Sequence, residues 1–263
     1  MKPVLKYPGA KWNLAQWIIS FFPPHTTYLE PFFGSGAVFF NKPPSKVETI
    51  NDIDGNVVNL FRVIRERPDE LAALIEMTPW ARDEYYLSYE KTGDELEDAR
   101  RFLVRCWQAF GSITGRRSGW KSDVNVHRGY ISQWGRLPKI VTTISRRLLS
   151  VQVENAAATN IISRYNAKDV LIYADPPYLS ETRSDNLYAH EMTDTDHVEL
   201  LDALDAHPGP VILSGYACDL YDNRLKHWHR ETKTAQAEKG QSRTEVLWIN
   251  PVAAKNVQGR LFV

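Results

Sequence analysis

The chain has 263 residues, 43% of them hydrophobic and eight of them Trp, enough for one large α/β domain with an insertion or for two modest domains. No apolar run nears the roughly 20 residues of a membrane span, and Met1-Lys2-Pro3-Val4 does not open a signal peptide. Cys106 and Cys218 match no metal or redox spacing, a cytosolic setting fits best, and the zero net charge, 32 basic residues against 32 acidic, argues on its face against a nucleic-acid partner.

Thr27 to Glu30 is a short strand candidate that runs into Pro31-Phe32-Phe33-Gly34-Ser35-Gly36-Ala37-Val38, which reads as strand, glycine turn and helix start. Val47 to Ile50 is a second strand, ending at Asn51-Asp52. Val57, Leu60, Phe61, Ile64, Leu71, Leu74 and Ile75 recur at helical spacing, and Pro68 divides them into two helices. A further helix is predicted over Glu95 to Phe110, then loops or a hairpin rich in Gly, Ser and Asn as far as Pro138, then a helix over Ile140 to Leu149. Strands follow at Val170 to Ala174, Val211 to Ser214 and Glu245 to Ile249, with a helix around Asp196 to Ala206. Strands alternating with helices indicate an α/β fold, a mostly parallel doubly wound sheet whose ligands sit outside the carboxyl ends of the strands. The Gly34 turn, Asp52 and Asp175 all fall at such ends and are expected to share one crevice.

Asp175-Pro176-Pro177-Tyr178 ends the Val170 strand. Proline fixes φ and lacks an N–H, so two in succession stop a strand and expose its last carbonyls. Asp175 and the Pro176 carbonyl can then accept both hydrogens of an exocyclic amine, while Tyr178 offers a stacking face worth roughly 1–3 kcal/mol. A flat base bearing an amine fits this cradle; an ordinary strand-ending turn is the alternative. Around Ser35, Gly34 and Gly36 let the backbone approach a ligand, and a helix after them would present free N–H groups. Asp52, eighteen positions beyond Gly34, sits where a carboxylate accepts hydrogen bonds from ribose hydroxyls. A nicotinamide-dehydrogenase fingerprint would need a third glycine where Phe39 stands. A ligand with a ribose and no pyrophosphate, such as S-adenosylmethionine, fits better.

Charge is segregated along the chain. From Arg100 to Arg147 there are eleven basic residues and one acid, Asp123, a net +10, interleaved with Trp107, Trp120, Tyr130 and Trp134. Cations among aromatics suit a phosphate backbone and unstacked bases, and Arg116, Arg117, Trp120, Lys121, Arg128 and Trp134 are the candidate DNA contacts. His190, His197, His227 and His229 match no metal spacing and read as surface residues; no metal is expected.

The motifs in this order resemble the Dam-type DNA adenine methyltransferases, which transfer a methyl group from S-adenosylmethionine to adenine N6. Lys6-Tyr7-Pro8-Gly9-Ala10-Lys11 resembles their amino-terminal cofactor motif, Glu30 to Gly36 their glycine motif, Asp52 their ribose acid and Asp175 to Tyr178 their catalytic motif. Arg243-Thr244-Glu245-Val246-Leu247-Trp248-Ile249-Asn250 resembles their closing strand. The resemblance implies a Rossmann-like methyltransferase sheet, residues 1–55 and 150–263, with an inserted, mainly helical target-recognition domain over 56–149. It implies cofactor contacts from Tyr7, Lys11, Glu30, Pro31, Phe32, Gly34, Ser35, Gly36, Asp52 and Asp175, catalysis by Asp175, Pro176, Pro177 and Tyr178, and a flipped adenine in double-stranded DNA as substrate. It also implies a prokaryotic or viral-host cytoplasm. RNA adenine, cytosine N4 and an inactive DNA-binding relative are the alternatives. Gly111 to Lys121 does not reproduce the hairpin of members that read GATC, so the target sequence is open. The oligomeric state is open too, with a monomer acceptable.

Overall fold

The structure is a computed structural model that describes residues 1–112, 114–122, 129–179, 187–236 and 242–258. Strands β1 (Thr27–Glu30), β2 (Val47–Asn51), β3 (Val151–Glu154), β4 (Val170–Ala174), β5 (Val211–Tyr216), β6 (His229–Gln236) and β7 (Ser242–Ile249) form one sheet in the order β3-β2-β1-β4-β5-β7-β6. The first five neighbours are parallel, and β7 runs antiparallel between β5 and β6. The chain winds outward from β1 to β3 and returns to β4 beside β1. That reversal opens a crevice beyond the carboxyl ends of β1 and β4, the place where open α/β sheets bind ligands.

All five side chains of β4 are buried, because helices cover both faces of the sheet. One face, with Tyr28, Ile50, Leu171 and Tyr173, packs against α1 (Ala15–Ile19), α2 (Gly55–Glu66), α3 (Pro68–Met77), α4 (Arg82–Leu87), α5 (Glu95–Gln108), α6 (Tyr130–Trp134) and α7 (Leu137–Leu148) in one continuous core. The other face, with Leu29, Ile172 and Leu213, packs against α8 (Ala158–Arg164), α9 (Asp194–Asp205) and α10 (Asp219–Arg224). A last helix, α11 (Pro251–Gln258), places Ala253 in the first core. No helix among the described residues is long and apolar enough to cross a membrane.

Local chemistry sets the helix ends near the crevice. Asp54 caps α2 by accepting the Asn56 N–H at 2.9 Å, and Val57, Leu60, Phe61 and Ile64 form its buried stripe. Pro68 opens α3 at its first position, where a missing N–H costs nothing. The helix expected after Gly36 does not form. Residues 37–41 make successive turns instead, because the Phe33, Phe39 and Phe40 rings pack edge-on to one another and to Phe61, which fixes the chain by side-chain contact. Two strands carry no pattern that the sequence reveals. β3 buries Val151 alone among its four side chains, and β6 runs His-Arg-Glu-Thr-Lys-Thr-Ala-Gln at the sheet edge, held by backbone pairing to β7.

Candidate active site

Side chains alternate along a strand, so Tyr28 and Glu30 of β1, Tyr173 of β4, Ser214 and Tyr216 of β5 and Glu245 of β7 all project from one face of the sheet. They form a polar row with Asp175 where β4 ends. The Tyr28 hydroxyl donates to Glu30 Oε2 at 2.6 Å, and Ser214 Oγ donates to Asp175 Oδ1 at 2.8 Å. Tyr178 donates to Glu245 Oε2 at 2.8 Å and lies 3.3 Å from Asp175 Oδ1. The amino-terminal segment closes the row from above: Lys11 Nζ lies 3.2 Å from Asp175 Oδ1 and 3.9 Å from Glu245 Oε2, and donates to the Gly9 carbonyl at 2.8 Å. The described contacts of the Asp175 carboxylate are all made through Oδ1. No described donor reaches the Pro176 carbonyl.

Beside this row lies a cleft of about 310 Å³ walled by Tyr7, Lys11, Glu30, Phe32, Gly34, Asp52, Asp175 and Tyr188 among others. That volume is at the small end of small-molecule sites. Asp52 Oδ2 accepts the Gly34 N–H at 2.8 Å and Oδ1 accepts the Asp54 N–H at 2.9 Å, so the glycine turn and the acid eighteen residues on are locked together. Gly34 has φ 48°, and a Cβ there would stand 3.0 Å from the Tyr7 ring, which makes glycine the residue that lets Tyr7 close over the turn. At Gly36 a Cβ would lie 2.4 Å from Phe33, so this glycine serves core packing rather than ligand approach.

Burial dominates the electrostatics. It pushes the Glu30 carboxyl up to about 8, against the Tyr28 hydrogen bond that favours the carboxylate. It pushes Asp52 up to about 7, against the N–H groups of Asp54 and Gly34. For Lys11 burial works in the opposite sense, but Asp175 and Glu245 outweigh it and hold the ammonium above the ordinary lysine value. The Tyr178 hydroxyl is raised by burial, then by the charges of Asp175 and Glu245.

The family model of the D12 class N6 adenine-specific DNA methyltransferases matches residues 7–239. The chain belongs to that family. Among its relatives, the type II methyltransferase M1.LlaDCHI of Lactococcus lactis subsp. cremoris is 30% identical over 95% of both chains. The DNA adenine methylase of Vibrio cholerae is 28% identical over 70% of this chain and 69% of its own, and the type II methyltransferase M.MjaIII of Methanocaldococcus jannaschii is 25% identical over 76% and 78%.

In this D12 methyltransferase the cleft gathers Tyr7, Lys11, Glu30, Phe32, Gly34, Ser35, Asp52, Asp175 and Pro177 into one wall. Pro31, Gly36, Pro176 and Tyr178 adjoin these residues in the chain and do not line the cleft. Tyr178 is nearly buried, with Lys11 Nζ 4.7 Å above its ring and the Tyr216 edge 4.5 Å away, so its face is not open to a base in this arrangement. Glu245, Ser214 and Tyr188 join the site without having been singled out in the sequence. The signal for Glu245 is a lone acid beginning the apolar run Val246-Leu247-Trp248-Ile249; Ser214 and Tyr188 carry none.

The basic segment is less uniform than its sequence suggests. Arg100 pairs with Glu84 and Glu97, Arg101 with Glu97, and Arg147 with Glu48, so acids outside the run neutralise part of it. Two expected DNA contacts are core residues instead. Trp134 is 5% exposed, donates to the Thr78 carbonyl and packs on Trp80 and Trp107, and Lys121 is 7% exposed with its ammonium over Tyr130. Trp120 is half-buried, its indole donating to Gln108. Arg116 and Arg117 are exposed, Arg117 lying over Tyr86, as are Arg136, Lys139 and Arg146. Arg128 lies outside the described residues. His197, expected at the surface, is fully buried and bonded to the Tyr221 hydroxyl. No cluster of three or more metal-ligating side chains occurs among the described residues.

Proposed function

We propose that the cleft binds S-adenosylmethionine and that Asp175 and the Pro176 carbonyl hold the N6 amine of an adenine turned out of duplex DNA. One observation carries this reading: at the edge of a cleft lined by a ribose-type acid, Asp175 engages its neighbours through Oδ1, which leaves Oδ2 and the Pro176 carbonyl as acceptors for two N–H hydrogens. The donor set also fits the cofactor. Asp52 offers carboxyl oxygens to ribose hydroxyls, Glu30 a second carboxyl that a bound ammonium would ionise, and Tyr7 and Phe32 offer rings for an adenine face. When bound, S-adenosylmethionine supplies an electrophilic methyl group on a sulfonium.

The residues act on the amine. Its lone pair is delocalised into the ring, and acceptors on both hydrogens restore it to nitrogen, so Oδ2 and the Pro176 carbonyl raise nucleophilicity where charge develops. Oδ2 is also the base placed to take the proton that the amine sheds. Two prolines keep the Pro176 carbonyl and the backbone that carries Asp175 in place, which helps to make the encounter effectively intramolecular. Flipping the base costs roughly a few kcal/mol. Contacts from Arg116 and Arg117 to phosphates help offset it, with the helices of 56–149 as the recognition unit. Stacking on Tyr178 would require Lys11 to withdraw toward Glu245. A cytoplasmic setting, with Cys106 and Cys218 as buried thiols, is part of the same reading.

The test is transfer of a labelled methyl group to duplex DNA, RNA and protein in parallel. Methyladenine in DNA alone is expected, with Asp175→Ala lowering kcat about 10²- to 10³-fold. Product in RNA or protein instead, or full activity of Asp175→Ala, refutes the assignment.

A further inference from the structure

We propose that Ser214, backed by the Tyr173 hydroxyl, is the positioning residue that fixes the Asp175 carboxylate so that Oδ2 faces the substrate amine. The inference rests on the reading of Asp175 given above and adds a residue from β5, 39 positions further along the chain. Ser214 is 1% exposed and is not part of the cleft wall, so its action on the reaction runs through another side chain. Ser214 Oγ lies 2.8 Å from Asp175 Oδ1 and 3.4 Å from the Ala174 carbonyl, so its single hydroxyl hydrogen goes to the nearer acceptor, Oδ1. The Tyr173 hydroxyl, 3.0 Å from Ser214 Oγ, must then be the donor of that pair. The result is a directed chain, Tyr173 to Ser214 to Asp175, whose members sit on adjacent parallel strands and share one sheet face.

The chain opposes a specific alternative. Lys11 Nζ, 3.2 Å from the same oxygen, is shared with the Gly9 carbonyl and Glu245, whereas Ser214 is a short donor fixed to a central strand. Without Ser214, the hydrogen bond left to Oδ1 among the described contacts besides Lys11 is the longer 3.3 Å one from Tyr178, and the carboxylate is freer to rotate toward Lys11. The ionisable groups facing Asp175 are Lys11 from the amino-terminal segment, Tyr173 from β4, Tyr178 from the segment after it, Glu30 from β1, Glu245 from β7 and Tyr221 from α10. Of their hydrogen-bonding partners to Asp175, Ser214 makes the shortest contact.

The test compares full-length wild type, Ser214→Ala and Tyr173→Phe in steady-state methyl transfer to duplex DNA. Ser214→Ala is expected to lower kcat about 10- to 100-fold, with KM for DNA and for S-adenosylmethionine within about threefold of wild type. A fall in kcat with both KM values held is a split that general loss of packing would not produce. Tyr173→Phe, which keeps the ring, should show a smaller fall in kcat of the same kind. An unchanged kcat in Ser214→Ala, or a loss confined to KM, overturns the proposal. Should that variant fail to fold, unchanged kcat in Tyr173→Phe overturns it alone. Wild type that methylates no DNA refutes the reading of the site as a whole; active wild type matched by Ser214→Ala refutes only the role of Ser214.

Discussion

Replacing Glu30 with Gln should make the ligand-free protein more stable, and increasingly so as pH rises. Glu30 is 2% exposed, and burial holds its carboxyl at about 8 in the folded chain against 4.5 as the ordinary value. The folded state therefore binds more protons than the unfolded state between those limits, and its stability falls as pH rises through that window. Integrating the linkage relation from pH 5.5 to 8.5 gives a loss of about 3 kcal/mol from this group alone. A neutral amide removes the titration while its oxygen still accepts from Tyr28. Thermal unfolding of wild type and Glu30→Gln at pH 5.5, 7 and 8.5 reads the effect, and at about 2–4 °C per kcal/mol the melting temperatures should diverge by roughly 6–12 °C across the range. Asp52, held at about 7, titrates in the same direction and keeps part of the slope in both proteins. Parallel melting curves, with equal dependence on pH, would refute the assignment of a buried, proton-binding Glu30. The same variant should bind S-adenosylmethionine more weakly, which separates the stability role from the ligand role.

Lys11→Met leaves half-buried Asp175 and buried Glu245 without the cation they share, and breaking a buried pair costs up to about 3–5 kcal/mol, measurable as a lower denaturation midpoint together with lost methyl transfer. Arg116→Gln combined with Arg117→Gln should weaken DNA binding and reduce the salt slope by about 2, read from binding isotherms at several salt concentrations; an unchanged slope places the phosphate contacts elsewhere. Trp134→Ala should act through stability, at about 3–5 kcal/mol for a buried aromatic, and leave the salt slope as it was.

Much of the fold is legible in the chain because its signals are local. β1 and β4 coincide with their predicted spans, since short apolar runs bounded by Pro or Asp define them without reference to neighbours. The division of α2 from α3 at Pro68 follows from a missing N–H, and the Asp175-Pro176-Pro177-Tyr178 stop follows from two of them. The Gly34 turn, Asp52 and Asp175 are expected at one crevice because a doubly wound sheet delivers strand ends to one edge, and all three line the cleft. The tertiary structure alone decided the rest. Arg100 and Arg117 are the same residue type in one basic run, yet one pairs with Glu84 and Glu97 inside the fold and the other lies exposed over Tyr86, because helix packing decides which cation meets an acid and which meets a ring. Trp134 and Lys121 became core, and Ser214 and Glu245 became partners of Asp175 and Tyr178, for a single reason: strand register and helix packing bring together residues far apart in the chain, and no local periodicity records that proximity.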